Sequence, residues 1–246
     1  MENSGSIELQ VNNVSGNAAA GAGSLVERLL REPEGIWRQI ASERDLGALT
    51  RQLLLATALP LTVQGAVLGA SSGILQALSS AVKLPLLFLL TLAICLPTLY
   101  LFNLVFGSRL RVSQTLAVVL CAMATTAVLT LGFTPISVFF LLSARSYAFF
   151  KILNVAILAL TGVVGLRVLV TGMAAVAPRA EGAEGAAPPG TNRKLLRGWL
   201  VVYAFVGTQL AWTLRPFFGA PGLPFELFRT LEGNFYVNIV QTLLGS

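Results

Sequence analysis

Few side chains in this sequence are suited to acid–base or nucleophilic chemistry. The 246 residues include no histidine, which excludes catalysis, proton shuttling and metal ligation by an imidazole. The only cysteines, Cys95 and Cys121, fall within apolar runs, where cysteine usually acts as a small apolar packing residue. A disulfide between them would require two membrane spans to meet at those depths. We expect no metal site and no cofactor.

The motifs of common active sites are missing as well. The sequence holds no GxGxxG, P-loop, HExxH or GxSxG pattern, and no candidate base lies near its serines and threonines. All of its acidic residues lie outside the long apolar runs. Proton-coupled transporters usually place a carboxylate or a histidine within the membrane, so this pattern counts against proton coupling. The sequence predicts a protein that is not an enzyme.

Uncharged polar residues do occur within the apolar runs. Such residues either line a pore or form hydrogen bonds between helices, each of which contributes about 0.6–2 kcal/mol. We favour the second interpretation. The residues are Gln64, Gln76, Thr91, Asn103, Thr125, Thr126, Asn154 and Gln209.

A row of small residues predicts one close contact between helices. Gly65, Gly69 and Gly73 recur every four residues, and Ala77 continues the row. Glycine lets a second backbone approach closely, so that dispersion and weak Cα–H···O contacts hold the helices together in a right-handed crossing. We expect this packing within the chain, although a homo-oligomer would use the same surface.

Composition indicates that the elements carrying these residues lie in a membrane. The chain is 55% hydrophobic and 11% charged, and its mean hydropathy is +0.76. Soluble domains usually carry about 25% charged residues, so much of this surface has to face a lipid bilayer. The net charge of +6 comes mostly from basic residues beside hydrophobic runs, where they act as topology signals, and we expect no nucleic-acid partner.

The apolar runs predict an all-α polytopic bundle of about five transmembrane helices. Lys83 marks the break between the first two spans, and the segment 134–146, which includes Pro135, forms an interfacial connection. A loop at 174–196, rich in Ala, Gly and Pro, is expected to be flexible. The spans lie at roughly 52–78, 84–106, 113–133, 147–171 and 198–215.

Two terminal regions flank the transmembrane bundle, which occupies 51–216. Residues 1–23 are expected to form a disordered tail. Residues 24–50 form a cytosolic amphipathic helical segment, which either lies in the headgroup plane or caps the cytosolic ends of the spans. Its apolar positions include Leu25, Leu29, Ile36, Trp37 and Ile40, and its arginines are Arg28, Arg31, Arg38 and Arg44, with Arg51 following.

The C-terminal region 217–246 predicts an interfacial cap. Prolines and glycines end the last span, and the phenylalanines that follow are too apolar for water. We expect Phe225 and Phe228 to be buried against the outer ends of the spans. Glu226 is the nearest acidic partner for Arg215 or Arg229. The cap either holds the helices together or offers a surface to a protein partner.

Basic residues in the short loops predict the orientation. With the N-terminus inside, the inner side holds Arg28, Arg31, Arg38, Arg44, Arg51, Arg109, Arg111, Arg179, Arg193, Lys194 and Arg197. The outer side holds only Lys83, Arg145, Lys151, Arg215 and Arg229, while Arg167 lies near the inner end of its span. We expect a multi-pass protein of a bacterial inner membrane with a cytoplasmic N-terminus and an extracytoplasmic C-terminus.

The stretch LLREPEGIWRQIASERDL at 29–46, followed by five spans, resembles the Yip family as it appears in bacteria. Leu29, Leu30, Pro33 and Trp37 match its segment of leucines, proline and an aromatic residue. The resemblance implies a cytosolic N-terminus, five membrane helices and no catalytic activity. Eukaryotic members are linked to membrane trafficking and to the binding of small GTPases. The resemblance assigns no functional residue to this chain.

These observations favour a non-catalytic membrane protein. The expected role is that of a scaffold, an organiser or an accessory subunit of a membrane complex, with a protein partner or a second copy of the chain bound to it. The alternative is a small-solute transporter or channel. A polar stripe facing one cavity would favour transport, whereas a dry bundle with glycine contacts would favour the scaffold.

Overall fold

The computed structural model describes residues 25–105, 111–143, 147–176, 193–214 and 217, and every regular element in those ranges is an α-helix. Two short helices, α1 (25–31) and α2 (Pro33–Ala41), come first. The longer helices are α3 (Leu46–Ala70), α4 (Ile74–Val105), α5 (Val112–Ser143), α6 (Tyr147–Val176) and α7 (Arg193–Leu214).

Within the described residues, four of the longer helices, α3 to α6, have the length and composition needed to cross a bilayer, and the apolar part of α7 is shorter. In lipid a chain can satisfy its backbone only through internal hydrogen bonds, so each apolar run of about 20 residues becomes a helix. The prediction of an all-α polytopic bundle of about five spans is confirmed. The apolar helical stretches are Leu46–Ala70, Ile74–Leu101, Val112–Ser143 and Phe149–Val176, with a shorter one at Gly198–Leu214.

Helix α5 forms the centre of the bundle. Both α3 and α6 pack along it, while α4 packs on α3 and α7 packs on α4. Every residue from Ala117 to Ala127 is buried, and small residues make this possible. A Cβ added to Gly165 of α6 would come within 2.8 Å of the carbonyl oxygen of Ala122. The close fit leaves α5 with little surface for lipid along this stretch.

The break between the first two spans lies earlier in the chain than the sequence indicated. Helix α3 ends at Ala70 rather than at 78, and residues 71–73 form the turn. Gly73 adopts a φ of 120°, a conformation that glycine reaches without steric strain. Lys83, the break predicted from the sequence, lies inside α4 and is buried. The second span therefore begins at Ile74 instead of 84.

The third span is longer than predicted. Helix α5 continues through Pro135 to Ser143, so most of the expected interfacial connection 134–146 is helical. Proline fixes φ near its helical value and removes only one backbone donor, a loss that membrane helices tolerate. The proline therefore did not end the span, because the apolar residues that follow it continue to favour a helix in lipid.

The N-terminal segment packs on the bundle. Helices α1 and α2 bury Leu25, Leu29, Ile36, Trp37 and Ile40, and α2 contacts α5 and α6. These contacts favour a cap on the helix ends over a helix lying in the headgroup plane. Three other expectations lie wholly or mostly outside the described residues, namely the tail 1–23, most of the loop 174–196 and all of the cap 217–246 except Phe217.

Candidate functional site

The predicted glycine row divides between a helix contact and a turn. Gly65 and Gly69 face the start of α4, where an added Cβ would lie 2.9 Å from the carbonyl carbon of Ser80 and 2.7 Å from the Cα of Ala77, respectively. Gly73 belongs to the turn, and a Cβ there would meet nothing within 4 Å. The row therefore packs α3 against the next helix of the same chain.

A buried hydrogen-bond network joins α3, α5 and α6. The side-chain amide of Gln64 donates to Oδ1 of Asn154 over 2.9 Å, and the hydroxyl of Thr134 donates to Oε1 of Gln64 over 2.7 Å. The hydroxyl of Ser137 donates to the same Asn154 oxygen over 2.8 Å, and the Asn154 amide donates to the backbone oxygen of Phe150 over 2.9 Å. These polar groups satisfy one another, as buried polar groups must.

A second polar pair continues the network along α5. The hydroxyls of Thr130 and Thr161 lie 2.9 Å apart, and each is also within hydrogen-bond distance of a backbone oxygen of its own helix, Thr126 and Ile157 respectively. Because each hydroxyl has one hydrogen, one donates to its own helix while the other donates across to it. Sequence reasoning selected Gln64 and Asn154 but missed their hydroxyl partners. Of the other selected residues, Thr126 adjoins this pair, because its backbone oxygen accepts the bond from Thr130. Thr91 and Thr125 are bonded to the carbonyls of Leu87 and Cys121 within their own helices.

An apolar cavity of about 270 Å³ lies between α4, α5, α6 and α7. Its walls include Phe88, Met123, Gly162, Leu166 and Tyr203. The indole nitrogen of Trp199, another wall residue, donates to the backbone oxygen of Cys95 over 3.0 Å, so its ring presents only carbon to the space. All lining residues belong to the interior of helices, so the cavity is a site for apolar groups at membrane depth.

A basic pocket of about 550 Å³ lies on the N-terminal cap. Arg28 of α1, Arg38 of α2 and Arg44 of the following turn line it, together with Asp45. Gly35, Gln39 and Ser42 complete the lining. The lining of the pocket therefore contains three arginines and one aspartate. The sequence separates these arginines widely, and only the fold of α1, α2 and the turn brings them together.

The residues predicted to form the C-terminal cap mostly lie outside the described part of the chain. Arg215, Phe225, Glu226, Phe228 and Arg229 belong to this group. Phe217 is described: it packs beside the buried cluster that contains Leu61, Leu68 and Leu84, and its backbone oxygen accepts a hydrogen bond from Ser80. This contact ties the chain after α7 to the side of α4 that faces α3.

The described residues hold no group of three potential metal ligands. Both Cys95 and Cys121 are buried free thiols. Comparison with protein-family models, with curated proteins and with solved structures finds no match to this chain. The arrangement offers a closed polar network, an apolar cavity and a basic pocket as its distinctive features.

Proposed function

We propose that the protein is a non-catalytic subunit of a membrane complex, acting as a scaffold, an organiser or an accessory subunit. One observation supports this role above the others. The buried polar groups of α3, α5 and α6 bond to one another, and the cavity beside them is lined by apolar groups. A core of mutually bonded polar groups and an apolar cavity of this size are suited to holding a side chain of a neighbouring helix or part of an acyl chain, not to passing a hydrated solute.

The N-terminal cap fits the same role. Leu29 and Trp37 are buried, and Pro33 is the first residue of α2, so three of the four residues that resemble the Yip family build the cap. A docked cap gives a fixed surface on one side of the bundle. The proposal places that surface in the cytoplasm and the protein in a bacterial inner membrane, with the C-terminus on the far side.

A small-solute transporter or channel is the alternative, and one observation favours it. Gln76, Ser80 and Lys83 form a buried polar row on one face of α4. A lysine within an apolar helix is expensive in lipid and is retained mostly where it has a function. The row lies apart from the apolar cavity, so it provides no polar wall to that space.

The test is a pull-down of the tagged full-length chain in mild detergent, followed by size exclusion and mass spectrometry. Gly162 lines the apolar cavity, and a Cβ there meets nothing within 4 Å, so Gly162→Leu fills the space without a backbone clash. Gly132 has equally open surroundings but does not line the cavity, and Gly132→Leu is the matched control.

We expect a partner to co-purify at a fixed ratio with the wild-type chain and with Gly132→Leu, and to be reduced severalfold with Gly162→Leu. Reconstituted into liposomes, the protein should show solute flux no higher than that of empty liposomes. Flux of a small solute that depends on Lys83, without a stable partner, would replace the scaffold with the transporter.

A further inference from the structure

We propose that the basic pocket formed by Arg28, Arg38 and Arg44 binds the phosphate group of an anionic membrane lipid. Arginine presents a planar fork of donors that matches phosphate oxygens in a bidentate manner. Three arginines against one aspartate leave an excess of positive charge in the lining of a concave space of about 550 Å³. The space is ample for a phosphate and part of its headgroup.

The arrangement of these arginines, and not overall charge, creates the pocket. Residues 25–51 contain five arginines and five carboxylates, so the segment has no net charge. Two carboxylates pair with arginines outside the pocket, because Glu27 lies 3.6 Å from Arg31 and Glu43 pairs with Arg111. Both pairs lie outside the lining of the pocket, in which Asp45 is the one acidic residue beside the three arginines.

The turn after α2 holds Arg44 in position. Its neighbours Glu43 and Asp45 both adopt positive φ values, of 56° and 48°, which is uncommon for residues other than glycine. The backbone nitrogen of Arg44 donates to the carbonyl of Gln39 over 3.2 Å, and the Gln39 side chain donates to the carbonyl of Arg44 over 3.3 Å. A pre-organised turn lowers the entropy lost when a ligand binds.

The position of the pocket relative to the membrane favours a lipid over a soluble anion as its ligand. The pocket ends at Asp45, and the first spanning helix begins at Leu46. After Arg51 no charged residue occurs before Lys83, so the apolar part of the membrane begins about two helical turns beyond the pocket. Because Ile36, Trp37 and Ile40 of α2 are buried in the protein, the exposed face that carries Arg38 is left at headgroup level.

The experiment measures lipid binding to the purified full-length chain in a neutral detergent. Phosphatidylglycerol is compared with phosphatidylcholine by native mass spectrometry and by the midpoint of thermal unfolding. The variants are Arg38→Gln and Arg44→Gln. The control is Arg31→Gln, which removes the same charge from a residue outside the pocket. Inorganic phosphate and glycerol 3-phosphate are tested in the same way as soluble anions.

We expect the wild-type chain to bind phosphatidylglycerol in preference to phosphatidylcholine. Each pocket variant should weaken that binding about fivefold, since one arginine near an anionic lipid contributes about that factor. Arg31→Gln should retain wild-type binding.

An equal loss of phosphatidylglycerol binding in Arg31→Gln would show that the effect comes from general surface charge, and it would overturn the proposed site. Equal binding of the two lipids would overturn it too. Stabilisation by inorganic phosphate or glycerol 3-phosphate alone, at the concentrations at which phosphatidylglycerol acts, would assign the pocket to a soluble anion and overturn the lipid assignment.

Discussion

The side-chain amide of Gln64 donates a 2.9 Å hydrogen bond to Asn154 across 90 residues of sequence. This bond joins α3 to α6, two helices that pack extensively on α5 but hardly on each other. Asn154 accepts a second bond from Ser137 of α5, so one side-chain oxygen connects all three helices. The network therefore fixes how the three helices are aligned along their axes.

Replacing Asn154 should destabilise the bundle. Asn154→Leu leaves the Gln64 amide and the Ser137 hydroxyl without their acceptor in a buried site, and we expect a loss of about 1–3 kcal/mol. The measurement is equilibrium unfolding in mixed micelles. Thr62→Val is the control, because Thr62 is exposed and its hydroxyl bonds only within its own helix, to Ala58. Equal stability of wild type and Asn154→Leu would contradict a structural role for the network.

The α3–α4 contact should be sensitive to a single methyl group. In Gly69→Ala the new Cβ would lie 2.7 Å from the Cα of Ala77, so the two helices have to separate. We expect a lower midpoint of thermal unfolding in detergent, which corresponds to a decrease of a few kcal/mol at most in the free energy of unfolding. Gly132→Ala, where a Cβ meets nothing within 4 Å, should leave the midpoint unchanged or raise it. Matching midpoints for the two variants would remove the close-packing interpretation.

Trp37 should anchor the N-terminal cap. A Cβ added to Gly172 of α6 would lie 2.8 Å from the ring of Trp37 and 3.0 Å from Cγ1 of Val118 on α5, so the ring sits close to both helices. Trp37→Ala should cost up to about 3–5 kcal/mol of docking free energy and release α2. The measurement is limited trypsin digestion, in which release of α2 should make cleavage at Arg38 faster. Leu30→Ala serves as the control, because Leu30 is 48% exposed; faster cleavage in both variants would argue against a specific anchor.

The number of spans determines where the C-terminus lies. We expect a cytosolic reporter to be active when it is fused at Met1 and inactive when it is fused after Ser246. Helix α7 decides the outcome, since its apolar stretch Gly198–Leu214 is shorter than the other four. An active reporter after Ser246 would show that α7 does not cross the membrane.

The C-terminal cap stays a prediction with one observed contact. Phe217 packs beside Leu61, Leu68 and Leu84, and the chain that follows should extend this contact through Phe225 and Phe228. Deleting 218–246 should lower the unfolding midpoint, whereas deleting 1–20 should not. Cysteines placed at 225 and 228 should react slowly with a water-soluble maleimide. Fast labelling together with an unchanged midpoint would contradict the cap.

The helix bundle could be predicted from composition, but the helix ends could not. A bilayer forces every long apolar run into a helix, so the fold class follows from hydropathy alone. Charge and proline were poorer indicators of ends. Lys83 is buried within α4 and Pro135 lies within α5, whereas Gly73, the residue at the turn, resembled one more member of a packing row.

The candidate sites were predictable only in part, for a related reason. Gln64 and Asn154 stood out as amides in apolar runs, yet their pairing depends on how α3 and α6 align on α5. The glycines of α6 carried a signal that was missed: Gly165 and Gly172 lie two helical turns apart and face Ala122 and Trp37. The basic pocket could not be foreseen, because it depends on the strained turn that positions Arg44 beside Arg28 and Arg38.

The separation between Gln64 and Asn154 also sets an order of assembly. A ribosome reaches Asn154 only after completing α4 and α5, about 5–20 seconds later at usual elongation rates. Until then the amide of Gln64 has no access to its acceptor on α6. The insertion of α6 therefore completes the hydrogen bonds of the core. A nascent chain that stalls before Asn154 leaves the side-chain amide of Gln64 without this acceptor inside the membrane, where an unmet hydrogen bond is costly.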